Sequence, residues 1–173
     1  MSKSPNSTVR NPRQWFTVNG MSLAVSIILF LVSLTQDGYY IDRPEDPRAW
    51  APCIGLLLIG WLGVLEGVWA WLANPALAVA WLLMLTKPGR ISQIILAVLA
   101  TGLALSFLLY PEILANEAGG RTRITGYGAG YWLWISSMVT AAVGATGAMI
   151  FQSPRSASPT TPAEAPPTSG DAT

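Results

Sequence analysis

Histidine is absent from the 173-residue chain, cysteine occurs once, and only 11% of the side chains are charged. Each shortage excludes something. Without histidine the chain lacks the commonest general base and metal ligand. With Cys53 as its one thiol, it can close no internal disulfide and build no thiolate metal cluster. Cys53 therefore reads as a small apolar residue in a helix. A typical soluble domain carries about 25% charged residues to cover its surface. A lipid-facing surface needs none. The net charge of +1 gives no reason to expect nucleic acid or an acidic partner. No catalytic constellation, cofactor motif or metal-ligand spacing stands out, so catalytic, cofactor and metal sites are all expected to be absent.

What the chain does have is long apolar runs separated by short polar ones. Met1 to Trp15 is polar and carries Lys3, Arg10 and Arg13. Helix one follows, over about Phe16 to Thr35, and is uncharged. Its apolar core is longer than the usual 7–15 residues of a signal peptide and no Ala-x-Ala site follows, so it is read as uncleaved. Gln36 to Trp50 is a polar loop rich in acids. Helix two is predicted from Pro52, a favourable first-turn residue, to about Leu72. The apolar stretch runs on to Leu85, and a continuous helix of that length would measure about 51 Å, against a hydrocarbon core of about 30 Å. Asn74-Pro75 is the natural break, because the residue before proline disfavours helical geometry. Residues 76–86 then form a short helix, interfacial or re-entrant. Lys87-Pro88-Gly89-Arg90 is a polar turn, helix three covers about Ile91 to Tyr110, Pro111 to Gly128 is a second polar loop, and helix four covers about Ala129 to Phe151. The Pro/Ser/Thr-rich tail 152–173 cannot bury enough apolar surface to order itself.

The expected fold is therefore all-α, an integral membrane bundle of four transmembrane helices (residues 16–151) with a short interfacial or re-entrant helix after the second span. It is flanked by an N-terminal segment, 1–15, and the tail. An even number of spans puts both termini on one side. That side holds Lys3, Arg10, Arg13, Lys87, Arg90 and Arg155, and basic residues next to helix ends face the cytoplasm. Trp15, Trp50, Trp132 and Trp134 fall at predicted helix ends, where indoles favour the headgroup layer. Trp69, Trp71 and Trp81 flank the Asn74-Pro75 break and would place it at the cytoplasmic interface. Trp61 falls near a span centre and is expected against another helix.

Glu66 is the one ionisable side chain inside a predicted span. A charge there costs roughly 2.5–3.5 kcal/mol on insertion scales. No Lys or Arg lies in any span to pair with it, so it should be protonated, hydrogen-bonded or facing water. Counting turns puts it about 9 Å from the cytoplasmic end of helix two. Ser22, Ser26, Thr101, Thr140 and Thr146 fall at similar depth, and with Glu66 the first four form a candidate intramembrane polar site. Gly63 and Gly67 have GxxxG spacing, while Ala141, Gly144, Ala145 and Ala148 form a smooth stripe on helix four; both patterns let another helix approach closely. Thr125-Gly126-Tyr127-Gly128 shares letters with a potassium-channel filter. No pore helix precedes it and the full motif is missing. Asp37, Asp42, Glu45 and Asp46 have metal-ligand chemistry, but a solvated acidic loop is the commoner meaning of such a run.

The combination of Trp71-Leu72-Ala73-Asn74-Pro75 with Gly126-Tyr127-Gly128-Ala129-Gly130-Tyr131-Trp132-Leu133-Trp134 resembles a group of small, uncharacterised bacterial inner-membrane proteins. The resemblance covers helices two to four. It implies a bacterial cytoplasmic membrane and brings no activity, substrate or site with it.

These observations lead to the expectation of a small non-enzymatic membrane protein, an accessory, assembly or regulatory subunit. Its partners would be the lipid bilayer and either another membrane protein or a second copy of itself. The alternative is a small oligomeric transporter or channel using Glu66.

Overall fold

The computed structural model describes residues 12–42, 50–86, 91–114 and 120–152. The basic N-terminal residues Lys3 and Arg10, the acids Glu45 and Asp46, the 87–90 turn and the tail beyond Gln152 lie outside the described residues, with the expectations attached to them. The order of elements is α1 (Pro12–Leu34), β1 (Asp37–Ile41), β2 (Trp50–Pro52), α2 (Cys53–Ile59), α3 (Leu62–Leu65), a 3-10 turn (Trp69–Leu72) running into α4 (Ala73–Thr86), α5 (Ile91–Ser106) extended by a 3-10 turn (Phe107–Leu109), β3 (Glu112–Leu114), β4 (Arg121–Tyr127) and α6 (Ala129–Gln152).

Three stretches are long and apolar enough to cross a membrane: Trp69–Thr86, Ile91–Leu109 and Ala129–Ile150. The apolar part of α1, Val18–Leu34, is shorter. These four helices alternate in direction. Asn19 on α1 donates from Nδ2 to the carbonyl of Met84 near the end of α4, and Gln93 at the start of α5 donates to the carbonyl of Leu83. Tyr131 at the start of α6 donates to the carbonyl of Ala104 near the end of α5. One end of the bundle thus gathers the start of α1, the end of α4, the start of α5 and the end of α6. The opposite end carries the sheet, α2 and α3.

Small residues fill the interior. Ala73, Leu77, Ala80 and Met84 on α4, Gln93, Ala97, Ala100 and Ala104 on α5, and Met138, Ala141, Ala145 and Ala148 on α6 are buried at steps of three and four residues. That spacing is the inward stripe of a helix. Large apolar side chains point the other way: Met21, Ile28, Leu82, Leu85, Val143 and Ile150 are each more than half exposed. With little volume inside and bulk outside, helices pack backbone to backbone, as they do where lipid rather than water surrounds them.

The expectation of helix two over 52–72 is corrected. Those residues form α2, α3 and the first 3-10 turn, not one continuous helix. Gly60 caps α2, where a Cβ would lie 2.9 Å from Cδ1 of Trp71, and Gly67 takes φ +83, a left-handed conformation that other residues rarely adopt. The chain turns back after only two short helices. The expected break at Asn74-Pro75 does not occur either. Pro75 lies in the first turn of α4, where its missing N–H has no helical partner to lose. Residues 76–86 are the continuation of a helix that begins at Trp69, not a separate short piece. Trp61, expected against another helix, is 48% exposed where α2 gives way to α3.

A four-stranded antiparallel sheet of order β2-β1-β4-β3 is also present, which an all-α reading did not anticipate. Its central pair sets Tyr39 opposite Tyr127, Tyr40 opposite Gly126 and Ile41 opposite Ile124. β1 leaves the end of α1 and β4 enters the start of α6. Those two helices share the most extensive contact in the bundle, so their packing brings the two strands together. Gly128 and Gly130 make the join tight: a Cβ on Gly128 would run into the carbonyl of Asp37, and one on Gly130 would lie 2.7 Å from the same oxygen.

Candidate functional site

An apolar cavity of about 600 Å³ opens at the sheet end of the bundle. It exists because the chain between β2 and α4 doubles back. Two hydrogen bonds hold that excursion in place: Trp71 donates from Nε1 to the carbonyl of Leu57 (3.0 Å), and the Tyr110 hydroxyl donates to the carbonyl of Gly67 (2.8 Å). The first ties α2 to the base of α4. The second ties the tip of the excursion to the end of α5. The cavity lies between the excursion and the bundle.

Its floor is buried and belongs to several elements: Ser33 from α1, Cys53 from α2, Ala70 from the 3-10 turn and Tyr131 from α6. Its rim is exposed and comes from α2 and α3, with Ile59, Leu62, Leu65 and Glu66. Phe107 closes one side. Its ring lies 5.5 Å from that of Tyr39, 6.0 Å from Tyr127 and 5.9 Å from Tyr131, distances at which aromatic rings attract through their quadrupoles. Trp134 donates from Nε1 to Oδ1 of Asn74 at 2.8 Å, and both residues line the cavity.

The sheet side of the site has its own electrostatics. Tyr40 donates its hydroxyl to Oδ2 of Asp37 at 3.2 Å, and this bond, with the carboxylate's charge, holds the phenol proton above its ordinary pKa. Burial raises Tyr127 in the same direction. The thiol of Cys53, at the start of α2, is pushed up to about 11, first by burial and then by the charge of Asp37.

The structure distributes the residues of the expected polar site rather than gathering them. Glu66 ends α3, is exposed, and lines the cavity rim. Ser26 is fully buried in the bundle, where it accepts from Trp81 Nε1 (2.8 Å) and donates to the carbonyl of Ser137 (2.7 Å). Ser22 lies against Gly144 at the α1–α6 crossing. Thr101, Thr140 and Thr146 each donate to the carbonyl four residues back in their own helices. None of the four hydroxyl residues grouped with Glu66 lines the cavity that it borders. Gly63 lies in α3 and Gly67 beyond its end, so they do not share a helical face. Ala141, Ala145 and Ala148 are buried and Gly144 meets Ser22. Thr125 to Tyr127 belongs to β4, an extended strand. Asp37 is a strand residue paired with Tyr40, and Asp42 offers its backbone carbonyl to the Thr122 hydroxyl.

Several site residues had no expectation attached. Asn74, Tyr110 and Tyr131 were legible only as helix breakers or interface aromatics. Asn19 and Gln93 are buried amides near one end of the bundle, and Oδ1 of Asn19 has no hydrogen-bond partner among the described residues. Their signal was present, since each is a lone amide in an otherwise apolar run. Comparison of the chain with protein-family models, with curated proteins and with solved structures finds no match in any of the three.

Proposed function

We propose that this chain is a small non-enzymatic integral membrane protein of the bacterial cytoplasmic membrane, acting as an accessory, assembly or regulatory subunit. It crosses the bilayer four times, with α1, α4 with its leading turn, α5 with its trailing turn, and α6. Both termini face the cytoplasm; the sheet and the cavity face the other side. In the sequence, Arg13 falls at the start of α1, and Lys87 and Arg90 fall between the last residue of α4 and the first of α5; cations next to these helix ends support the orientation.

The observation that carries this reading is the closed interior. Alanines with 0–1% exposure fill the space between the helices, and the buried Ser26 and Gln93 spend their donors on carbonyls of neighbouring helices. Such an interior supports rigid packing and, among the described residues, offers no row of water-facing groups for an ion to follow. The alternative, a small oligomeric transporter or channel using Glu66, draws less support, because Glu66 lines a rim at the bundle's end and not a path between helices.

Affinity purification of the full chain in mild detergent tests the reading. A stoichiometric foreign membrane protein is expected to co-purify. A lone homo-oligomer that supports proton-coupled flux after reconstitution would replace it with the transporter.

A further inference from the structure

The geometry points to the cavity at the sheet end as a binding site for one membrane phospholipid with an amine-bearing headgroup, its acyl chain inside and its headgroup at Glu66. The inference rests on the membrane reading above and assigns that protein a specific ligand.

Three observations converge on it. Size comes first: about 600 Å³ lies within the ~300–1,000 Å³ range of small-molecule sites. A whole partner helix, about 10 Å across with its side chains, is the wrong shape for a space closed by a floor of Ser33, Ala70 and Tyr131. The second is the medium at the mouth. Ile59 and Leu65 on the rim are 63% and 75% exposed, and Leu58 beside them 67%. Apolar groups of that size at an opening face hydrocarbon, so a lipid chain passes from bilayer to cavity without meeting water. The third is charge. Among the described residues, Glu66 is the single acid lining the cavity, and no Lys or Arg lines it. Glu66 precedes Gly67, whose carbonyl accepts from Tyr110 just before β3. An occupant with an ammonium group at its polar end matches that acid, and an anionic headgroup does not.

The experiment titrates the purified full chain in mild detergent with a phosphatidylethanolamine, and separately with a phosphatidylglycerol of the same acyl chains, reading bound lipid by native mass spectrometry. The wild-type protein is expected to retain one phosphatidylethanolamine, with phosphatidylglycerol about fivefold weaker, the scale of one partly exposed ion pair. Glu66→Gln should bring the two lipids to equal affinity while the chain still folds. Gly63→Leu should exclude both lipids. A Cβ at Gly63 meets only Val68, at an ordinary 3.5 Å, so the added side chain extends into the cavity. Equal binding of the two lipids by the wild-type chain overturns the proposal. So does a preference that survives Glu66→Gln, or a co-purifying polypeptide that Gly63→Leu displaces while lipid binding persists. Release of the chain from membranes by alkaline carbonate would instead overturn the membrane reading on which the proposal stands.

Discussion

Gly144 is a position where the packing of α1 on α6 leaves no room for one added carbon. At the crossing of α1 and α6, a Cβ built there would lie 2.5 Å from Oγ of Ser22 and closer still to its Cβ. Carbon atoms rest about 3.5–4.0 Å apart, so Gly144→Ala must push the two helices apart by more than about 1 Å locally. These helices share the most extensive contact in the molecule, and overpacking of this kind costs about 1–3 kcal/mol. Two other glycines serve as controls for the intrinsic gain from replacing glycine by alanine in a helix, about 0.5–1 kcal/mol. A Cβ on Gly102 meets nothing within 4 Å, and one on Gly147 meets Cγ1 of Val18 at an ordinary 3.7 Å. The expected order of stability, from denaturant titration in detergent, is Gly102→Ala at or above wild type, Gly147→Ala near it, and Gly144→Ala below it. Ser22→Gly removes the atoms that clash and should recover most of the loss in the double variant, a coupling that a thermodynamic cycle measures. If Gly144→Ala matches Gly102→Ala, or Ser22→Gly fails to rescue it, the α1–α6 contact is not as close as described.

Other expectations follow from the buried polar groups and from the chain's ends. Ser26→Ala strands the Trp81 indole N–H and removes a donor from the Ser137 carbonyl; a loss of about 0.6–1.7 kcal/mol is expected, with Trp81→Phe costing little more once Ser26 is gone. Cys53, with its thiol pushed up to about 11, holds little thiolate at neutral pH. Iodoacetamide should therefore label the folded chain slowly at pH 7–8, faster as pH rises toward that value, and readily once the chain is unfolded; fast labelling of the native protein at pH 7 would contradict its burial. Truncation after Ser153 is expected to leave membrane levels and the unfolding midpoint unchanged, because the removed residues are polar and proline-rich. A drop in either would mean that the tail packs on the bundle.

Much of the architecture was legible because burial in lipid demands apolar length, and length shows in one dimension. α5 and α6 appear close to where their uncharged runs begin and end. The buried stripe of Ala141, Ala145 and Ala148 likewise follows from spacing alone. What composition could not reveal was which half of the 34-residue apolar stretch from Pro52 to Leu85 forms the long helix. Both halves are equally apolar. The decision rests on Gly67, which adopts a left-handed turn, and on Pro75, harmless in a first turn but disruptive in an interior one. Choosing Asn74-Pro75 as the break reversed the side on which Trp69, Trp71 and Asn74 fall and moved Glu66 from a span to a rim. The sheet escaped for a different reason. Its strands are short and lie in segments rich in charge and glycine, and the central pair, β1 with β4, joins across more than 80 residues, held together by the packing of α1 on α6. No local pattern records such a pairing. The cavity was illegible for the same reason, since its floor and rim come from elements distant in sequence.

The central claim is that residues 52–68 stay at the sheet end of the bundle while 69–86 crosses it. Cysteine accessibility in intact cells tests this most directly. In a Cys53→Ala background, Glu66→Cys and Lys87→Cys are each treated with a membrane-impermeant maleimide before and after permeabilisation. The account predicts that Glu66→Cys labels in intact cells and that Lys87→Cys labels only after permeabilisation. Protection of Glu66→Cys in intact cells, or labelling of Lys87→Cys before permeabilisation, would contradict it.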